Sequence, residues 1–217
     1  MGNEIPLFLS IVIGICLVSV FSEEHTRKTD QVILCTYHGR KLAYHAKMFA
    51  GILFGLVFTL VCFVITFVTV YILFGLDGAN APAQFIFTST SANMTCAQMV
   101  LLYYGCLLIM ELFYCVAIMI LSEITGSNTI SLAILICYTM MGLFLNVPGK
   151  FRIASQIWGY SPNKISSIYH VFDCRMISIA GIPYASWQII PVVYILLILM
   201  IYFIGSSVYR NHQVKGR

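Results

Sequence analysis

The segment SEEHTRKTDQVILCTYHGRKLAYHAK (Ser22–Lys47) separates the first two long apolar stretches of the chain. It holds five of the 12 Lys and Arg residues and three of the 8 Asp and Glu residues. Over all 217 residues, 60% are hydrophobic and only 9% are charged. An ordinary soluble domain is about 25% charged. A chain this poor in charge cannot cover a water-facing surface, so the sequence predicts an integral membrane protein.

Working outward from this segment, five apolar stretches are long enough to cross a bilayer, which takes about 17 to 25 residues as a helix. They are Ile5–Phe21, Met48–Phe74, Met99–Leu121, Ile130–Val147 and Trp187–Val208. The length leaves no room for a second, soluble domain. We therefore predict an all-α integral membrane fold, in which residues 1–217 form one transmembrane domain of five helices.

The distribution of Lys and Arg predicts the orientation, because cytoplasmic loops of membrane proteins carry an excess of these residues. Residues 22–47 carry five and residues 209–217 carry three, whereas the loop 75–98 carries none. Five crossings place the first two segments on the same side. We expect a multi-pass protein of the cell membrane with its N-terminus outside and its C-terminus in the cytoplasm.

Within the charged segment, the sequence predicts a short cytoplasmic helix. Ser22 and Asp30 can each cap a helix start, and Gly39 suits a helix end. An apolar patch of Val32, Ile33 and Leu34 follows Asp30, with Tyr37 close by. Such a helix could lie on lipid headgroups. It could also dock in a groove of a soluble partner.

The segment also resembles a known family. A span that ends in FSEE, followed by LCTYHGRKLAYHAKMFAGILFG, resembles the membrane subunits of ABC-2 type transporters. Those proteins carry a Glu after one span, then a short coupling helix, a pattern like L-x-x-[ST]-x-x-G-R, and a Lys opening the next span. The matching residues here are Leu34, Thr36, Gly39, Arg40 and Lys47.

The resemblance implies a function and its partners. The chain would be the membrane-spanning subunit of an exporter, driven by a separate ATP-binding cassette ATPase subunit and completed by a second membrane half. The coupling helix would dock on the ATPase. The residues expected at that docking surface are Glu23, Glu24, Asp30, Val32, Ile33, Leu34, Tyr37, Gly39 and Arg40.

The chain departs from the family in its number of spans. The family usually has six spans, and the first span of this chain corresponds to the family's second. The resemblance thus leaves two readings open. The chain is a fragment, or it is a five-span variant that works without the family's first span.

The predicted spans contain one charged residue and one glycine pattern that are candidates for a functional or a packing role. Glu111 is the one charged residue within the five predicted spans, and it serves either as a polar point on a translocation path or as a hydrogen-bonded packing residue. Gly51 and Gly55 form a GxxxG pattern in GILFG, which allows two helices to approach closely.

The loop 148–186 is apolar and aromatic, and we expect it to form short extracellular helices broken at GYSPN before the last span. Cys96 and Cys174 fall in the two loops predicted to lie outside. They either form a disulfide or stay reduced, since sequence alone does not fix connectivity.

Motifs for catalysis and for metal binding are missing from the sequence. It contains no GxSxG, HExxH, Walker A or CxxC pattern. We therefore expect no cofactor and no metal, with ATP hydrolysis confined to a partner subunit. The main alternative function is a structural or assembly membrane protein that transports nothing. A third is an intramembrane enzyme with Glu111 as its acid.

Overall fold

The computed structural model describes residues 4–27, 42–85, 93–145, 147–148, 150–173, 176–179 and 182–211. Besides a 3₁₀ helix at Ala83–Phe85, nine α-helices and two strands are defined within those ranges. They are α1 (Glu4–Leu17), α2 (Ser19–Arg27), α3 (Leu42–Phe74), α4 (Cys96–Thr125), α5 (Asn128–Phe144), α6 (Arg152–Gly159), α7 (Pro162–Ile165), α8 (Ile168–Val171), β1 (Met176–Ile179), β2 (Ile182–Ala185) and α9 (Ser186–Asn211).

Four helical segments are long and apolar enough to cross a membrane. They are Ile5–Glu23, which joins most of α1 and α2, then Leu42–Phe74, Cys96–Thr125 and Ser186–Tyr209. The long apolar helices predicted from the sequence are confirmed at these four places. The structure makes the chain a helical protein that can pass through a bilayer several times.

The fifth predicted span, Ile130–Val147, differs from the structure. Its helix, α5, begins at Asn128, ends at Phe144 and has 17 residues. At a rise of 1.5 Å per residue it is about 25 Å long, which is shorter than the hydrocarbon core of about 30 Å. The structure therefore shows four long apolar helices at the predicted places, and at the fifth place a shorter apolar helix at the lower limit of about 17 residues for a crossing. Leu145 leaves the helical conformation and is extended, at a φ of −83° and a ψ of 116°.

Helix α4 lies at the centre of the bundle. Helices α1, α3, α5 and α9 all pack against it. Its start is fixed by Thr95, whose side chain accepts a hydrogen bond from the backbone of Gln98 while the Gln98 side chain accepts one from the backbone of Thr95. This reciprocal pair satisfies two backbone donors at the helix start. Gly126 ends α4 in the left-handed region, at a φ of 61°.

The chain between α5 and α9 forms short helices followed by a hairpin. Helix α6 ends at Gly159 and α7 begins at Pro162, so the break predicted at GYSPN lies between them. The sequence-based prediction did not include the strands β1 and β2, which pair antiparallel from Met176 with Ala185 to Ile179 with Ile182. Only two residues separate the strands, and such short spacing between Ile-containing strands favours a hairpin.

The contacts define two ends of the bundle. At one end, which we call the charged end, the rings of Phe21 (α2), Tyr44 (α3) and Tyr209 (α9) meet. The last turn of α4 reaches the same end, since the backbone N–H of Ser22 donates to Ser122 Oγ at 3.2 Å. At the opposite end, which we call the loop end, α6, α7 and α8 cover the helices.

Candidate functional site

Most of the predicted docking surface lies outside the described residues. This applies to Asp30, Val32, Ile33, Leu34, Tyr37, Gly39 and Arg40. Glu23 and Glu24 belong to α2, although the structure describes only the backbone of Glu24. What the structure does describe is how the two ends of this charged segment are held, because α2 leads into it and α3 leads out of it.

Both ends of the charged segment are anchored at one point. The ring of Phe21, which is fully buried, lies 6.0 Å from the ring of Tyr44 between centroids. The Lys47 ammonium lies 4.9 Å from the centroid of the Phe21 ring, within range of a cation–π interaction. Helix α2, which leads into the charged segment, and the first turns of α3, which leads out of it, therefore meet at this aromatic contact.

Helix α9 is attached to this contact by aromatic rings and hydrogen bonds. The ring of Tyr209 lies 5.9 Å from Phe21 and 5.5 Å from Tyr44. The Tyr44 hydroxyl donates to the backbone carbonyl of Tyr202 at 2.9 Å. A Cβ added to Gly205 would lie 2.6 Å from the Tyr44 hydroxyl, so the absence of a side chain at Gly205 permits this close approach.

Helices α4 and α5 complete the charged end through polar contacts. The Ser122 hydroxyl donates to the backbone carbonyl of Val18. The Ser22 hydroxyl, which donates to the same carbonyl at 2.8 Å, also contacts Asn128 Oδ1 at the start of α5. Glu123 is buried beside this group, at 5% exposure. A displacement of the charged segment would consequently act on α3, α4, α5 and α9 together.

Glu111 is fully buried near the middle of α4. In the part of the chain that the structure describes, neither of its carboxyl oxygens has a hydrogen-bond partner. Tyr114 and Cys115 lie three and four residues further along α4, on the same face of the helix as Glu111. A charged group without a partner at this depth costs several kcal/mol, so the position favours an uncharged side chain.

Gly51 and Gly55 lie where α3 crosses α4. Both are buried. A Cβ on Gly51 would come within 2.3 Å of Met119 Sδ, and one on Gly55 within 2.2 Å of Cys115 Sγ. A Cβ on Gly55 would strike the short side chain of Cys115, whereas a Cβ on Gly51 would strike the flexible end of Met119, so the contact with Cys115 is the one that favours glycine most strongly.

A polar junction at the loop end was not predicted from the sequence. The Tyr114 hydroxyl donates to Asn163 Oδ1 at 2.7 Å, and Asn163 Nδ2 donates to the backbone carbonyl of Tyr138 at 2.9 Å. Asn163 thus joins α7 to both α4 and α5. Its side chain rests on Gly142, where an added Cβ would lie 2.1 Å from Asn163 Nδ2. The asparagine within the predicted break GYSPN was the one available signal.

The described cysteines and acids offer no metal centre. Among the residues that the structure describes, no group of three or more His, Cys, Asp or Glu side chains could hold a metal ion. Cys96 has a free thiol, whereas Cys174 lies outside the described residues. Whether the two cysteines form a disulfide or stay reduced therefore stays a prediction.

Comparisons with known proteins leave the family of the chain open. No family model matches it, and neither the curated proteins nor the solved structures contain a match to it. The features of the chain that bear on its function are the sequence pattern of residues 22–47 and the geometry of the charged end.

Proposed function

We propose that the chain is the membrane-spanning subunit of an ABC-2 type exporter. In this proposal a separate ATP-binding cassette ATPase subunit docks on the charged segment, and a second membrane half completes the path. The N-terminus lies outside and the charged end faces the cytoplasm. Helix α5 makes the fifth crossing, and α6 to α8 fill the space that this short helix leaves at the outer side.

The observation that carries the proposal is the junction at the charged end. A docking loop can transmit force only if its two ends are fixed to the helices that must move. Here Phe21 and Tyr44 hold the two ends together, and Tyr209 and Ser122 connect them to α9 and α4. A loop that merely rested on lipid headgroups would need no such attachment to four helices.

The chemistry of the charged segment supports a protein partner. Interface energy usually resides in a few apolar or aromatic anchors at the centre, while charges at the rim mainly affect the encounter rate. The patch Val32 to Leu34 provides such anchors, and Glu23, Arg27 and Arg40 lie around it in sequence. The ATPase would bind the patch, and ATP hydrolysis would take place on that subunit.

The test is recovery of an ATP-binding cassette ATPase, co-expressed with the chain, by wild type and two variants in detergent. Leu34→Asp places a charge in the apolar patch and should weaken binding by about 2 kcal/mol, or about 30-fold. Arg27→Ala removes a rim charge and should change recovery much less. Equal recovery by all three chains would contradict docking at the patch. Recovery of no ATPase by any of the three chains would favour a structural membrane protein whose charged segment lies on lipid headgroups.

A further inference from the structure

Helices α5 and α9 leave a gap between them. Both pack against α4, but they scarcely touch each other. The gap contains a cavity of about 470 Å³. Ala117 of α4 lines it, as do Tyr138 of α5 and Tyr194 of α9, and Pro162 of α7 lines it from the loop end. The cavity is thus bounded by three helices of the bundle and by one of the short loop helices.

The lining of this cavity is apolar and carries no charged side chain. Four tyrosines contribute to it, and three of their hydroxyls have partners elsewhere. Tyr114 donates to Asn163, Tyr194 donates to the carbonyl of Tyr160 at 2.8 Å, and the Tyr160 hydroxyl lies 3.3 Å from Ser186 Oγ. These three hydroxyls therefore already have hydrogen-bond partners within the protein.

Tyr138 is the exception among the four tyrosines. Its hydroxyl has no hydrogen-bond partner within the described ranges, although the side chain is half-buried and lines the cavity. In a bilayer, a hydroxyl that faces this apolar cavity would lie away from water without a hydrogen-bond partner, which is unfavourable. A ligand with one hydrogen-bonding group would satisfy it.

The cavity communicates with the side surface of the bundle. Ile134 of α5 lines the cavity and is 45% exposed. The neighbouring outward-facing side chains of α9, Val193 and Leu196, are also exposed and apolar. In a helix that crosses a membrane, such a surface faces lipid. A molecule that enters from this side would come from the bilayer.

We propose that the cavity binds an uncharged, single-chain amphiphile from the bilayer, with its one polar group at the Tyr138 hydroxyl. The volume falls in the range of about 300–1,000 Å³ that is typical of small-molecule sites. It suits one alkyl chain and is too small for a whole two-chain lipid. An ionic headgroup is disfavoured, because no charged residue lines the cavity to compensate for its lost hydration. This proposal does not depend on the transport function.

The experiment uses the full chain in phosphatidylcholine nanodiscs and a dodecanol that carries a photoreactive diazirine. Label should appear on the cavity-lining parts of α4 and α5. Ala117→Phe fills the cavity and should lower this labelling at least about five-fold. The matched control Ala133→Phe adds the same ring to an exposed position of α5 and should leave labelling unchanged. Labelling that Ala117→Phe does not reduce, or that is equally strong on the exposed face of α3, would overturn the proposal.

A second variant keeps the test decisive if Ala117→Phe fails to fold. Tyr138→Phe preserves the shape of the cavity and should raise the dodecanol concentration needed for half-maximal competition about five-fold, as expected for one hydrogen bond. Tyr71→Phe, on the exposed face of α3, is the control and should have no effect. Unchanged competition in Tyr138→Phe would refute the assigned polar contact.

The charge of the competitor tests the ligand class. Dodecanol should displace the label, whereas dodecyltrimethylammonium and dodecyl sulfate at the same membrane concentration should displace it much less. Equal displacement by either charged amphiphile would contradict an uncharged ligand.

Discussion

Replacement of Gly142 by alanine should disconnect α7 from α4 and α5. The new Cβ would lie 2.1 Å from Asn163 Nδ2 and 2.3 Å from both Asn163 Cβ and Cγ. The nearest atoms include the root of the Asn163 side chain, so rotation of its amide alone does not relieve the overlap. Either α7 must withdraw from α5, or Asn163 must leave its two partners, Tyr114 and the carbonyl of Tyr138.

Three terms determine the size of the effect. Inserting a methyl group into a well-packed site costs about 1 to 3 kcal/mol. Hydrogen bonds that side chains make between membrane helices contribute about 0.6 kcal/mol each, and two are at risk here, one to the Tyr114 side chain and one to the Tyr138 backbone. Alanine is better than glycine in a helix by about 1 kcal/mol, which acts in the opposite direction. The net expectation is a loss of about 2 kcal/mol in the free energy of unfolding.

The assay is unfolding of the purified chain by sodium dodecyl sulfate in mixed micelles, followed by circular dichroism. Gly105→Ala is the matched control, because a Cβ at Gly105 meets no atom within 4 Å. It should leave stability unchanged or raise it by up to about 1 kcal/mol. Combining Gly142→Ala with Asn163→Gly removes the whole side chain that the methyl strikes, including the Asn163 Cβ. In that background Gly142→Ala should cost no more than Gly105→Ala does.

The double-variant comparison also provides the refutation. If Gly142→Ala is as stable as Gly105→Ala, the close packing of Asn163 on α5 is wrong. If Gly142→Ala costs about 2 kcal/mol with and without Asn163, the loss arises elsewhere in α5, and the two positions are not coupled.

Three other predictions concern the bundle and its orientation. Gly55→Leu should lower the free energy of unfolding by about 3 kcal/mol in the same titration, because even its Cβ would lie 2.2 Å from Cys115 Sγ. A loss below about 1 kcal/mol would contradict the contact between α3 and α4. Glu111→Gln should change stability by less than about 1 kcal/mol, since the amide keeps the size of a carboxyl that has no partner within the described residues; unchanged folding with lost export would assign Glu111 a functional role. A membrane-impermeant maleimide added outside cells should label Asn80→Cys and spare Lys28→Cys, relative to the unsubstituted chain, and the reverse pattern would overturn the proposed orientation.

The long helices could be predicted because their signal is local. A run of about 20 consecutive apolar residues can be recognised in the sequence without knowing which residues pack against it in the fold. The predicted Met99–Leu121 lies within α4, and the predicted Trp187–Val208 lies within α9. The structure extends α4 to Cys96, where Thr95 caps it. The end of α5 was placed three residues too late, because apolar Leu145 and Val147 resemble helix residues in composition alone.

The junctions between helices could not be predicted, because they depend on residues far apart in the sequence. The Tyr114–Asn163 hydrogen bond spans 49 positions, and the Tyr44–Tyr202 bond spans 158. A glycine in an apolar helix, such as Gly142 or Gly205, does not reveal which side chain will rest against it. For Gly51 and Gly55 the spacing indicated a contact, but only the structure identifies Met119 and Cys115 as the partners.

Helix α4 links the charged end of the bundle to the cavity. It meets the charged end at Ser122, and its own Tyr114 and Ala117 reach Asn163 and the cavity. Within its length it contains no proline, and its one glycine, Gly105, lies beyond this region toward the loop end. A regular helix between Tyr114 and Ser122 moves as a rigid element, because bending it would break backbone hydrogen bonds. Under the proposed function, a displacement of Ser122 would therefore also move Tyr114. Through the hydrogen bond between Tyr114 and Asn163, it would act on the contact that holds α7 beside the cavity.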